Sequence, residues 1–161
     1  MNDTTYTRGP KPVEDGPFKG WMAWIPAPDP FEDLTGQYYF KRGDDGAVIS
    51  ALMVERKHLN GSGAMHGGAI MTFIDFALFA TANDALNMTR AVTITCNTEF
   101  VGAAREGALL EARAEVMRET GSLLFIQGRC TQSGDNIASF SGTLKKIGAR
   151  KGTREGSSAQ S

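Results

Sequence analysis

Between Ala69 and Ala82 the stretch AIMTFIDFALFATA carries apolar side chains on nearly every helical face, whereas beyond Arg90 the stretch AVTITCNTEFV alternates. That change of period marks a passage from helix to strand. The first pattern predicts a helix from about Gly67 to Leu86, buried on most sides. The second sets Val92, Ile94, Cys96 and Phe100 against Thr93, Thr95, Asn97 and Glu99, as in a strand. Three further strands follow in GALLEARAEVMRET, SLLFIQGRCTQS and NIASFSGTLKKI, separated by TG and SGD turn signals. Upstream, QYYFKRG and AVISALMVERKH are joined by GDDG and predict a β-hairpin. FKGWMAWIP reads as a short helix over one end of the core, and APDPFEDLTG as a break and turn. The order is β-β-α-β-β-β-β, an α+β arrangement of one long helix within a mostly antiparallel sheet.

Composition narrows this picture. A chain of 161 residues, 41% of them hydrophobic, suits one domain with a proper core. That domain is expected over residues 17–147. Residues 1–16, polar with Pro10 and Pro12, and residues 148–161, Gly/Ser-rich and basic, are expected to be solvated, disordered chain. A net charge of −1, from 17 basic and 18 acidic side chains, gives no general attraction to nucleic acid or acidic membrane. Cys96 and Cys130 lack CxxC spacing and fall in strand-like stretches, so buried reduced thiols are expected. The N-terminal stretch has no apolar core of the signal-peptide kind. The apolar run is interrupted by Asp75 and is shorter than the roughly 20 residues that span a bilayer. A soluble cytoplasmic protein is the expectation.

The chemistry concentrates in NGSGAMHGGAIMTFIDFAL. Asp75 lies between Ile74 and Phe76, and no Lys or Arg occurs between Lys57 and Arg90. A carboxylate in such a wall costs several kcal/mol to desolvate unless it is paired or used. The glycine loop fails as a phosphate cradle. Gly61, Gly63 and Gly67 are spaced GxGxxxG, no GK[ST] follows, and the strands beyond the helix have no βαβ continuation. Ser62 sits in GSG and not in a GxSxG elbow, so a triad with His66 and Asp75 is disfavoured. The two histidines, His58 and His66, lack companions for a metal site. What survives is an amide at Gly67 or Gly68, unshielded by a side chain, that can polarise a carbonyl, and a carboxylate a little over two turns further on. Such a carboxylate suits a general base or a nucleophile.

Asn60, then His66-Gly67-Gly68 six positions on, then Asp75 nine after the histidine, followed by a strand with a small hydroxyl residue, resembles the active-site segment of hotdog-fold acyl-CoA thioesterases of the phenylacetyl-CoA (PaaI-type) kind. The resemblance covers Phe31 to Ile147. It implies an antiparallel sheet wrapped around one long central helix, with two subunits paired sheet edge to sheet edge as a homodimer; a dimer and a tetramer built as a dimer of dimers both stay open. It implies an active site across the dimer interface. There the Gly67 amide would hold the thioester oxygen beside Gly68, Asn60 and His66. Asp75 of the opposite subunit would be base or nucleophile, and Thr93 would orient the attacking water. Coenzyme A would enter as part of the substrate, with no metal or resident cofactor. Two other functions stay open: a non-catalytic acyl-CoA-binding regulator, and a dehydratase or hydratase of β-hydroxyacyl thioesters.

Overall fold

The computed structural model describes residues 9–25 and 29–147. The expected disordered tail at 148–161 and the first part of the expected N-terminal one lie outside those residues. The elements are β1 (Lys11–Pro12), β2 (Met22–Ala23), α1 (Pro30–Thr35), β3 (Tyr39–Arg42), β4 (Val48–Met53), α2 (Gly67–Leu86), β5 (Arg90–Phe100), β6 (Leu109–Glu119), β7 (Leu123–Gln132) and β8 (Asp135–Ile147), with a 3-10 turn at Arg56–His58. The strands form one sheet in the order β1-β2-β3-β4-β6-β7-β8-β5, antiparallel throughout. Between β4 and β5 the chain therefore strides past three strands, and α2 makes that crossing against one face. This is the hotdog arrangement that the resemblance implies.

The helix forms where its apolar run predicts. Its core side chains Phe73, Ile74, Ala77 and Leu78 are fully buried, against inward-facing Leu52, Leu110, Leu124, Ile126 and Leu144 of the sheet. Length and composition alone would let α2 cross a bilayer, with a mean hydropathy of 1.3, but here it is the core of a sheet-wrapped domain. It ends at Asn87, whose left-handed backbone (φ 42°) returns its N–H to the Asn83 carbonyl. The hairpin β3–β4 and the four strands after α2 also stand where the alternation places them.

Four expectations are corrected. FKGWMAWIP is not a helix: Met22 and Ala23 are a short strand bridging β1 and β3, and Trp24 stacks on Phe40 at 4.9 Å. Within the segment expected to be solvated, Lys11 and Pro12 pair with Ala23 and Met22. The helix of this region lies instead in the stretch expected to turn. Asp29 accepts the Glu32 N–H at 3.1 Å and Pro30 fills the first helical position, so the four residues DPFE carry a start signal of their own. Finally, β5 does not alternate along its whole length. A bulge between Thr93 and Thr95 shifts the register, so Ala91 and Thr93 lie partly buried before it and Cys96 and Thr98 after it. Val92, Ile94 and Phe100 are left exposed.

Helix and sheet approach most closely at Gly142 of β8. A Cβ there would lie 2.3 and 2.8 Å from the two methyls of fully buried Leu78 and 3.0 Å from the Thr95 carbonyl oxygen. Beside it Gly128 is covered by the ring of Phe140, its cross-strand partner, which fills the space a side chain would take. Cys130 is buried and Cys96 partly buried, both as free thiols. Burial pushes the Cys130 thiol up to about 12, with a smaller contribution from Cys96.

Gly142→Ala is expected to cost about 1–3 kcal/mol, the usual range for overpacking a filled core. Urea unfolding measures it. Gly121→Ala, where a Cβ meets nothing within 4 Å, is the control and stays close to the wild-type midpoint.

Candidate active site

Every fourth residue of α2 from Gly67 to Asn83 escapes full burial: Gly67, Met71, Asp75, Phe79 and Asn83, with Met71 the most open of them. A four-residue step keeps side chains on one gently spiralling face; between Phe73 and Ala82 only Asp75 and Phe79 escape full burial, while nearer the helix ends Gly68, Ala69, Thr72, Asp84 and Ala85 escape it as well. Asp75 is half-buried on that face. Its partner is Thr93 of β5, whose hydroxyl donates to Asp75 Oδ1 at 2.7 Å. Among the described residues no cation forms an ion pair with Asp75; the salt bridges are Arg42–Asp84, Lys57–Glu55, Arg113–Asp45 and Lys146–Glu119. A carboxylate placed here is thus oriented by a neutral donor and left chemically available. Burial raises the thiol pKa of Cys96, on the same strand as Thr93, and the charge of Asp75 raises it further.

The start of α2 assigns different tasks to its two glycines. His66 is the N-cap, with φ −65° and ψ 136°, and its Nδ1 accepts the Gly68 N–H at 2.9 Å. Gly68 therefore spends its amide on the cap. The Gly67 N–H lies one residue earlier, in the first helical position, where no carbonyl of the helix can reach it. It lies at the positive end of α2 without a hydrogen-bond partner among the described residues, and the ring of Phe100 lies against Gly67, 3.4 Å from where a Cβ would be. Asn60 is committed to its own loop. Its side-chain oxygen accepts from Ser62 N at 2.9 Å, Ser62 Oγ at 2.7 Å and Ala64 N at 3.3 Å, which leaves only its amide NH₂ free to face outward. Ser62 is thus a loop-bracing hydroxyl.

His58 anchors this loop from behind. It is buried; its Nδ1 accepts the Glu55 N–H at 2.8 Å, so Nε2 carries the proton and donates to the Thr35 carbonyl. Its own carbonyl accepts the His66 N–H at 2.8 Å. One residue thereby ties the end of α1, the 3-10 turn and the start of α2 together. The Tyr38 ring packs on Phe73 at 5.9 Å and on Phe76 at 5.0 Å, and its hydroxyl donates to Thr35 Oγ1 at 2.8 Å. Helix α1 is thus lashed to the part of α2 that carries Asp75.

Within one chain the predicted residues do not all meet. Thr93 and Asp75 are joined, and Asn60, His66, Gly67 and Gly68 share one loop. The two groups are separated along α2 by eight residues, about 12 Å at the helical rise. Sequence reasoning also passed over Phe100, His58 and Glu32. Glu32 of α1 is half-buried and its carboxyl is pushed up to about 7, first by burial and then by the charges of Asp29, Asp75 and Asp33. A groove of about 670 Å³ lined by Arg113, Glu115, Gln127, Arg129 and Ser141 lies on the sheet face away from α2 and contains none of the predicted residues.

The chain has relatives in sequence and in fold. The sequence profile of the Thioesterase superfamily matches residues 62–139. PA0474 of Pseudomonas aeruginosa, a protein named for esterase activity, is 30% identical over 116 residues, which are 71% of this chain and 87% of that one. Acyl-coenzyme A thioesterase 13 of Homo sapiens is 28% identical over 99 residues, covering 59% of this chain and 68% of that protein. Among solved structures, a mutant of the phenylacetic acid degradation protein PaaI from Thermus thermophilus superposes with a TM-score of 0.62 at 25% identity, over 74% of this chain and all of that one, 100%. The TT0310 protein of the same organism gives 0.63 at 26% identity, over 75% and 100%. The chain belongs to the thioesterase superfamily, with the hotdog fold, and is a thioester hydrolase.

The cap yields a test. His66→Ala removes the acceptor for the Gly68 N–H and is expected to cost about 0.5–2 kcal/mol of stability. His66→Asn, a preferred capping residue, is expected to recover most of that loss. Thermal unfolding of both variants, followed by circular dichroism, measures the difference.

Proposed function

We propose that the protein hydrolyses acyl-CoA thioesters to the free acid and CoA at a site shared between two copies of the chain. The observation that carries this reading is a carboxylate without a cation among the described residues, oriented by Thr93, on the same open stripe of α2 as the unused Gly67 amide. Acyl-CoA as substrate is further supported by the likeness to human acyl-coenzyme A thioesterase 13.

The chemistry divides as follows. The Gly67 N–H donates to the thioester carbonyl oxygen, which gains negative charge as the carbon becomes tetrahedral. One such donor is worth about 2.7–4 kcal/mol. Thr93 holds Asp75 through Oδ1 and leaves Oδ2 to act. As general base Asp75 takes the proton of a water whose oxygen attacks the carbon; as nucleophile Oδ2 attacks directly and water then cleaves the anhydride. In either route the C–S bond breaks and CoA leaves as a thiolate. The Asn60 NH₂ group steadies the substrate beside Gly67. Gly68 and His66 act through the cap: they hold the Gly67 amide in its outward orientation. CoA is part of the substrate, and no resident cofactor has a role.

Reacting atoms must come within roughly 3–3.5 Å, so two groups about 12 Å apart along one helix cannot serve one carbonyl. A second copy removes the difficulty by presenting its own Asp75 to this Gly67. Strand β5 supports the pairing. It ends the sheet, its outer edge has no partner among the described residues over its whole length, and it exposes Val92 and Ile94. An edge this long, open and apolar is a template for another strand. Pairing β5 with β5 of a partner would continue the sheet as a homodimer.

Asp75→Asn is expected to lower kcat by about 10²–10⁴-fold, the contribution of a positioned base, in a protein that unfolds at the wild-type temperature. Thr93→Val removes a hydrogen bond to a charged group, about 1.5–3 kcal/mol, and is expected to lower kcat by about tenfold to a hundredfold. Release of CoA thiol from a panel of short, long and aromatic acyl-CoAs measures both. Turnover near wild type in Asp75→Asn would refute the assignment.

A further inference from the structure

In a regular strand Phe100 and Thr93 would point to opposite faces, since they stand an odd number of residues apart. Yet both meet α2: the Phe100 ring lies against Gly67, and Thr93 bonds Asp75. The bulge at Ile94 reconciles them. Ala91 and Thr93 face the helix before it, and Cys96, Thr98 and Phe100 after it. The β8 partners of Thr93, Thr98 and Phe100 are Leu144, Phe140 and Ala138, all buried in the core. Val92, Thr95, Asn97, Glu99 and Val101 are left on the outer face, all exposed. The backbone alternates in the same way. Val101 donates its N–H to the Ile137 carbonyl of β8 at 2.9 Å, so Glu99 and Asn97 also turn their N–H and C=O groups to β8. Cys96 and Thr98 turn theirs to the free edge.

Resting on the two-copy site proposed above, we propose that this bulge fixes the register in which two copies join along β5: Asn97 faces the partner's Asn97 across the two-fold axis, and Phe100 lies beside the partner's Thr93. Counting outward from the axis, Thr98 falls opposite the partner's Cys96. Both turn their backbone groups to the seam, so the two exchange hydrogen bonds. Glu99 then falls opposite the partner's Thr95. The partner's Ile94 is the extra residue of its bulge, so Phe100 falls opposite the partner's Thr93, and Val101 opposite the partner's Val92. Every pair shares a face, and the last covers two valines that are 63% and 44% exposed in the single chain. Cross-strand neighbours stand about 4.5–5.5 Å apart at Cβ. The Gly67 amide next to Phe100 thus arrives beside the carboxyl that the partner's Thr93 holds. Neighbouring registers fail. With Cys96 on the axis Phe100 meets the partner's Ala91, and with Thr98 on the axis it meets the partner's Cys96. Either slip moves donor and acid about 6–7 Å along the strand.

The test uses the full chain with Cys96→Ala, which leaves only buried Cys130, and adds one cysteine at a time: Asn97→Cys, Thr95→Cys or Glu99→Cys. A pair that does not exchange hydrogen bonds, as Asn97 forms with its own copy, brings Cα atoms to about 4.5 Å, within the span of a disulfide. Mild oxidation is expected to turn Asn97→Cys into a covalent dimer on a non-reducing gel. Thr95→Cys and Glu99→Cys are expected to stay unlinked, because each lies about 13 Å from its own copy. The linked Asn97→Cys dimer is expected to release thiol from hexanoyl-CoA at the rate of its reduced form. An Asn97→Cys protein that stays unlinked overturns the register, as does linkage through position 95 or 99. So does a disulfide at position 97 that stops hydrolysis until it is reduced. All three results leave the hydrolase reading intact. Failure of the wild type to release thiol from any acyl-CoA overturns that reading, while the gel still decides the register.

Discussion

A carboxylate can occupy an apolar helix only where that helix is incompletely covered, and the coverage of α2 is decided by the sheet. Phe73, Ile74, Ala77 and Leu78 are sealed against it, and Gly142 lets the helix settle closely enough to seal them. What stays open midway along the helix is Asp75 and Phe79, on a stripe that also runs through Gly67, Met71 and Asn83. The unfavourable placement of Asp75 is thereby moderated: it is half-buried, and Thr93 supplies a hydrogen bond without the neutralising charge of a salt bridge. A buried pair with arginine would have been easier to place and chemically inert. The same stripe contains the exposed amide at the start of the helix, so one packing decision sets the position of both reactive groups.

The paired glycines illustrate how little separates a structural amide from a reactive one. Gly67 and Gly68 are adjacent, small and at the same helix end, yet His66 takes the second amide and leaves the first. The cap is thus part of the site, since it fixes where the free N–H points. His58 extends that control by bonding the 3-10 turn, α1 and the loop around one buried ring. The flanking helix α1 is tied down in this way.

The sequence was legible where periodicity is long and unopposed. Helix α2 could be placed residue by residue because its apolar run has no competing period, and β6, β7 and β8 because turn signals bracket them. Strand β5 was only half legible. Its alternation looked regular, but the bulge at Ile94 reverses the faces partway along, and no local residue announces a bulge of this kind. Strand β2 was misjudged because a two-residue strand owes its existence to pairing with β1 and β3 and not to its own composition. Helix α1 was hidden by its prolines, although the Asp29-Pro30 start followed by Glu32 carries the capping signal. At the site, the spacing from Asn60 through His66 to Asp75 was readable, whereas the division of labour between Gly67 and Gly68 required the orientation of a histidine ring. The part of His58 in bonding α1 to the start of α2 could not be read from sequence, because Thr35, His58 and His66 meet only in the fold.

The central claim is that the Gly67 amide of one copy and the Asp75 carboxyl of another act on one carbonyl. Gly67→Pro deletes that N–H at the helix position where proline is best tolerated, and His66 already has the extended backbone that must precede it. Asp75→Asn removes the acid. The decisive measurement is thiol release by the two inactive proteins after they are unfolded together in equal amounts and refolded. A shared site predicts that mixed dimers regain one intact centre, for about a quarter of wild-type activity under random pairing. Refolded mixtures containing mixed dimers that stay as inactive as the separate variants would contradict it.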